Sequence, residues 1–153
     1  VLFSMLVIRK IEEKDRADYL RMAKEFYASD AVLIHVSDDH FVRTFQELMR
    51  SDAYANCYIF TLDDQVAGYA LLARTFSQEA GGLVDWVEEV YVLPAFRGRG
   101  IGSAFFAKLQ KERPDAVKRF RLEVEKENDG AVRLYRSLGF DFLPYDQMIL
   151  DFQ

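Results

Sequence analysis

The chain is short of everything that would brace it covalently or carry it across a membrane. Among its 153 residues there is one cysteine, Cys57, so no internal disulfide can form. With only two histidines, a Cys/His zinc site is implausible. Three prolines and eight glycines all fall after position 67, and no repeat, low-complexity tract or Pro/Gly/Ser-rich linker divides the chain. No apolar run approaches the roughly 18–20 residues of a membrane span. The apolar stretch Val1–Ile8 is followed, not preceded, by its charges, Arg9 and Lys10, and no small-residue cleavage site comes next. That argues against a signal peptide; the stretch reads as the lead into a first strand, with Met5 a candidate start. Positive charge is also scarce: 20 Lys+Arg stand against 25 Asp+Glu, for a formal charge of -5 and a pI near 5.1. Binding driven by phosphate neutralisation needs a basic face, so generic nucleic-acid binding is disfavoured. The cysteine usage reads as cytoplasmic.

What is present is a core. Half the residues are apolar and 14% aromatic, enough for one domain spanning residues 1–153. Leu6–Ile11 has strand texture, and Glu13–Ser29 places Leu20, Ala23, Phe26 and Tyr27 at helical spacing. Ser37 before Asp38, Asp39 and His40 is a helix N-cap, and the helix that follows carries Phe41, Phe45, Leu48 and Met49 on one stripe. Cys57–Leu62 and Val66–Phe76 flank a short polar turn and form a hairpin, and Leu83–Leu93 is a third long strand stopped by Pro94. A helix runs from about Gly100 to Glu112. Arg121–Val124 is a short strand, Asp129–Leu138 a helix, and Phe140–Leu143 with Met148–Phe152 a closing strand pair. The order β-α-α-β-β-β-α-β-α-β-β specifies an α/β domain with a mixed, mainly antiparallel sheet flanked by helices.

The most informative stretch joins the strand ending at Leu93 to the helix after Gly100. Gly98, Gly100 and Gly102 let a ligand approach the backbone with no Cβ in the way. The first helical turn adds unpaired N–H groups and a positive dipole end, and Arg97 and Arg99 add mobile charge. This is a phosphate cradle. It is not a Walker A loop, which needs Gly-Lys-Ser/Thr, and not a dinucleotide fingerprint, whose glycines are spaced G-x-G-x-x-G after the first strand of a parallel sheet.

Arg97-Gly98-Arg99-Gly100-Ile101-Gly102 resembles the R/Q-x-x-G-x-G/A motif of the GNAT superfamily of N-acetyltransferases, and Val87–Pro94 resembles the strand leading into it. Asn128-Asp129-Gly130-Ala131-Val132-Arg133-Leu134-Tyr135, then Leu138-Gly139-Phe140, is similar to the family's N-x-x-A-x-x-x-Y helix and L-G-F ending. The resemblance covers nearly the whole chain. It implies acetyl-CoA as co-substrate, with the pyrophosphate held by backbone N–H groups of Gly98, Arg99, Gly100, Ile101 and Gly102 beside Arg97 and Ser103. It implies a pantetheine arm that pairs with Val90, Tyr91 and Val92 and hydrogen-bonds Asn128, and Tyr135 as the acid that protonates the departing thiolate. By its spacing alone Tyr135 is equally a member of a core stripe with Ala131, Leu134 and Leu138.

A base is also required, because the amine must attack uncharged. Strand alternation puts Val84, Trp86, Glu88, Val90 and Val92 on one face and Asp85, Glu89 and Tyr91 on the other. Glu88 thus interrupts an apolar face, where desolvation raises a carboxyl pKa, and relatives resembling polyamine acetyltransferases carry a glutamate there. A β-bulge in this strand would exchange the roles of Glu88 and Glu89. The acceptor pocket is expected from the Tyr27–Ser37 connection, the strand end at Thr75–Phe76 and the Pro144–Gln147 turn. Asp30, His35, Tyr145 and Asp146 there suit a cationic amine. His35 and His40 also read as plain loop and cap residues, and Cys57 as a buried inert thiol. The resulting expectation is an N-acetyltransferase using direct transfer in a ternary complex, without metal, acting on a small cationic amine such as a polyamine or on a protein amine. The alternative is a non-catalytic acyl-CoA sensor on the same fold. Oligomeric state stays open, with the Asp141–Gln153 strand pair as the surface for a homodimer.

Overall fold

The computed structural model of the chain describes residues 4–153; Val1, Leu2 and Phe3, the start of the apolar lead, lie outside them. The chain divides into two compact units, Val1–Glu123 and Val124–Gln153.

The first unit runs β1 (Leu6–Lys10), α1 (Arg16–Tyr27), α2 (Asp38–Arg50), β2 (Ala55–Leu62), β3 (Gln65–Ser77), β4 (Gly82–Val92), α3 (Ile101–Lys111) and β5 (Val117–Leu122). Its strands form one five-stranded sheet in the order β1-β2-β3-β4-β5. The first three pairings are antiparallel, and β4 pairs β5 in parallel. Asp63 and Asp64, both at positive φ (49° and 65°), make the two-residue turn between β2 and β3; that backbone geometry matches the right-handed twist of the strands it joins. Ser37 holds the N-cap position of α2 as expected, but its hydroxyl makes no capping bond to the backbone and donates to the Asp39 carboxylate instead.

Two helices cover one face of the sheet. Tyr19, Met22 and Ala23 of α1 and Phe41 and Phe45 of α2 bury against Cys57, Ile59, Tyr69 and Tyr91. The alternate residues of β2, Tyr58 and Phe60, face the other way and meet Phe105 of α3 at ring-centroid distances of 5.9 and 5.5 Å. The sheet is therefore sandwiched in this unit between α1/α2 and α3. A forked ion pair, Arg9 to Asp15 at 2.8 Å through both nitrogens, ties β1 to the turn that opens α1.

The second unit holds α4 (Asp129–Ser137), capped by Asn128, whose Oδ1 accepts the Ala131 N–H at 3.1 Å. Gly139, at φ 97°, ends the helix, and the Phe140 N–H returns to the Tyr135 carbonyl at 3.0 Å.

The fold class and the order of elements through α4 are those expected from sequence. Two readings need correction. The fifth strand runs Val117–Leu122, beginning four residues before and ending two residues before the expected Arg121–Val124, because Lys118, Arg119 and Arg121 interrupt Val117, Phe120 and Leu122 and mask a strand whose first residue is fully buried. The closing pair Phe140–Leu143 and Met148–Phe152 is not formed: no described residue after Ser137 lies in a strand or helix. Alternating Met148, Leu150 and Phe152 make a strand pattern, but a strand exists only through a hydrogen-bonded neighbour, and these side chains are exposed. The homodimer surface expected on that pair loses its strand basis with it.

Candidate active site

The site starts where β4 loses a neighbour. Its parallel register with β5 runs from Leu83↔Val117 to Val87↔Leu122 and stops, while its antiparallel register with β3 continues to Gly68↔Val92. Beyond Val87, then, β4 is paired on one side. The Leu93 N–H bonds the Ala67 carbonyl on β3 at 2.8 Å. Backbone groups alternate sides along a strand, so Tyr91 faces β3, whereas Val90 and Val92 present N–H and C=O to the open side. Of the three residues expected to meet a pantetheine arm, Val90 offers both backbone groups and Val92 its N–H, the Val92 carbonyl being taken by Arg97. Tyr91 contributes its side chain instead, its hydroxyl donating to Glu25 Oε2 at 3.1 Å.

A β-bulge sits at the mouth of this opening. The register passes from Leu72↔Val87 to Leu71↔Glu89, leaving Glu88 without a partner on β3. Strict alternation grouped Asp85 with Glu89 and Tyr91; the bulge separates them. Asp85 lies on the α3 face, bonded to Arg74 at 2.8 and 3.0 Å, and Glu89 and Tyr91 turn towards α1. Glu89 is buried and accepts hydrogen bonds from Tyr69 at 2.6 Å and Tyr27 at 2.9 Å. Burial pushes its pKa up and outweighs the two hydroxyls, which pull it down. Glu88 is exposed rather than set in an apolar face. The surrounding protein still desolvates its carboxyl in part; that, then Glu123, then Glu89, raise its pKa. Glu88 and Glu123 each follow the last paired residue of their strand, so both stand at the fork.

Past Pro94 the chain enters the glycine turn. Gly98 and Gly100 both have φ of 75°, a conformation that disfavours any side chain, and Gly100 is the N-cap of α3. The first hydrogen bond of α3 runs from Ala104 N–H to the Gly100 carbonyl at 3.0 Å, so the N–H groups of Ile101, Gly102 and Ser103 are the orphan donors of a first turn. No acidic residue stands in that turn. Gly102 is helical, and a Cβ there would meet nothing within 4 Å. Neither backbone conformation nor internal packing asks for glycine at this place, where it costs about 1 kcal/mol relative to alanine; its effect is to leave the donors approachable from outside. Arg97 lies back along β4, its Nε donating to the Val92 carbonyl at 2.8 Å and its guanidinium 5.7 Å from the Tyr91 ring centre. Arg99 rests over Phe96. Glycines, orphan N–H groups and two arginines fit a diphosphate.

In the second unit Asn128 and Tyr135 lie seven residues apart, two turns of α4, on one side of that helix. Capping occupies the Asn128 oxygen and leaves its amide nitrogen as a donor. Tyr135 is half-buried, its ring 6.0 Å from that of Phe140, and desolvation raises its pKa, so its phenol keeps its proton at neutral pH. Asp30, His35, Tyr145 and Asp146 are exposed. Cys57 is buried, and its thiol is pushed well above its usual range. Sequence reading missed the partners of two buried side chains: Tyr27 and Tyr69 for Glu89, and Glu25 for Tyr91. The one available signal was that a tyrosine in the middle of a strand needs somewhere to send its hydroxyl.

Comparison with known proteins points to one family and one fold. A family profile described as the acetyltransferase (GNAT) family matches residues 17–140. Thialysine N-epsilon-acetyltransferase of Mus musculus is 28% identical over 160 residues, covering 95% of this chain and 90% of its own length. Among solved structures, a possible acetyltransferase from Clostridium difficile shares the fold with a TM-score of 0.82 at 20% identity, over 97% of this chain and 99% of that one. A predicted acetyltransferase from Clostridium acetobutylicum solved with acetyl-CoA gives 0.76 at 16% identity, over 95% of this chain and 96% of that one.

Proposed function

The chain belongs to the acetyltransferase (GNAT) family, and from that premise we propose that this N-acetyltransferase moves the acetyl group of acetyl-CoA directly to a primary amine within a ternary complex. The observation that carries the reading is the turn from Gly98 to Ser103, with its open Gly102 and orphan N–H groups at the end of a half-paired strand.

Acetyl-CoA supplies an activated thioester. The chain's own residues do the rest. Backbone N–H groups from Gly98 to Ser103, with Arg97 and Arg99, bind the diphosphate. Val90 and Val92 align the pantetheine arm through backbone hydrogen bonds, and an N–H on this edge polarises the carbonyl that is attacked. Asn128 donates to the arm from its amide nitrogen. Glu88 takes the proton of the incoming ammonium through a water; its raised pKa brings it closer to the pH at which it works. Tyr135 returns a proton to the thiolate as the C–S bond breaks and the C–N bond forms. Amine and thioester become amide and thiol: the proton lost from nitrogen as the amide forms balances the one Tyr135 gives to sulfur and restores the phenol through solvent, and the proton Glu88 took from the ammonium is released to water.

The acceptor is a small cationic amine. Glu88 and Glu123 at the fork, in a chain of net charge -5, favour a positively charged substrate. The mouse relative's name points to an amino group at the end of a side chain. Thiol release should be followed with spermidine, thialysine, lysine and a peptide amine as acceptors. Acetyl-CoA-dependent release with at least one is expected. Tyr135→Phe and Glu88→Gln should each lower kcat by roughly a hundredfold with little change in KM for acetyl-CoA. Unchanged kcat in either variant removes that residue's role, and no release with any amine defeats the reading.

A further inference from the structure

A second cleft lies on the α3 face of the sheet. It has a volume of about 340 Å³, within the range of small-molecule sites, and shares no residue with the glycine turn or with Val90–Val92. Leu72, Phe105 and Phe120 give it apolar walls.

Its polar groups are unequally matched. Three carboxylates line it, and each has its cation: Asp85 with Arg74 at 2.8 Å, Glu112 with Lys108 at 2.7 Å, and Asp52 with Lys10 at 3.8 Å. Arg113 is the cation left over. It donates only to the carbonyls of Pro114 and Val117, and among the described residues no carboxylate lies within ion-pair distance of it. Tyr58 also lines the cleft, half-buried, with its ring tilted against Phe105, and its hydroxyl makes no hydrogen bond among the described residues. Desolvation raises that phenol's pKa, so it stays a donor. A cleft with some apolar wall, three acids already matched, one excess guanidinium and one idle hydroxyl is complementary to a small apolar body bearing an anionic group. A guanidinium and a hydroxyl donor match a carboxylate best.

We propose that this cleft binds a small aromatic or branched aliphatic carboxylate, at a site separate from that of acetyl-CoA and independent of the acyl-transfer reading. The test is calorimetric titration of 3-phenylpropanoate into the full chain, with and without saturating CoA, beside the neutral 3-phenylpropanamide. One-to-one binding of the carboxylate with the same Kd in both conditions is expected. The amide and the exposed-site variant Arg113→Gln should each bind about tenfold more weakly, the loss expected when a charge-assisted hydrogen bond is removed. Tyr58→Phe should weaken binding several-fold. Absence of saturable binding at millimolar probe, equal binding of the amide or of Arg113→Gln, or displacement by CoA would each overturn the proposal.

Discussion

The two halves of β4 are one strand with two environments. From Leu83 to Val87 it has β3 on one side and β5 on the other; from Glu88 to Val92 it has β3 alone. The closed half matches its backbone groups within the sheet and holds its one acid, Asp85, in a forked ion pair with Arg74. The open half leaves the backbone groups of Val90 and the Val92 N–H unmatched by the sheet, carries a bulged glutamate and runs into a turn of orphan N–H groups. Backbone donors and acceptors want partners. Where the sheet supplies them the strand serves stability, and where it does not the strand is ready for a ligand.

The contrast can be broken from either side. Arg74→Ala strikes the closed half, leaving Asp85 buried without its cation. It should cost about 3 kcal/mol in a denaturant titration while leaving the Kd for acetyl-CoA unchanged. Gly100→Asp strikes the open half, placing a side chain at φ 75° and a carboxylate among donors meant for phosphate. Affinity for acetyl-CoA should fall roughly fiftyfold, with a smaller loss of stability. Equal losses of stability and affinity in both variants would erase the distinction. The finest test is Glu89→Gln. Because burial raises the Glu89 pKa above 4.5, the folded state holds that proton more tightly than the unfolded chain does. Its contribution is thus fully present below pH 4.5 and is lost as pH rises through the folded value. Relative to wild type, the glutamine variant should gain stability as pH rises from about 4 to 8; a difference independent of pH would show that Glu89 does not titrate between the two states.

Much of this was legible in the sequence because it is written in residues with strong local preferences. Pro94 stops β4, Gly98 and Gly100 demand positive φ, Asp63-Asp64 closes a hairpin, and Asn128 opens α4. The bulge was foreseen only as an alternative, since two adjacent glutamates give no local reason for one to be extruded; packing of Tyr27 and Tyr69 around Glu89 decides it. The strand pattern at Met148–Phe152 misled because alternation records which side chains could be buried together, not whether a neighbouring strand is there to pair with. The early start of β5 was hidden for the converse reason: Arg119 and Arg121 sit in a ladder set by β4, not by their own propensity.

The central claim is that the open half of β4 and the glycine turn together hold acetyl-CoA. Backbone amide shifts of the isotopically labelled chain, followed through a titration with acetyl-CoA, address it most directly. The account predicts large shifts at Val90, Val92 and Gly98–Ser103, with Val84 and Val87 nearly still. Shifts confined to other residues, or none at saturating acetyl-CoA, would contradict it.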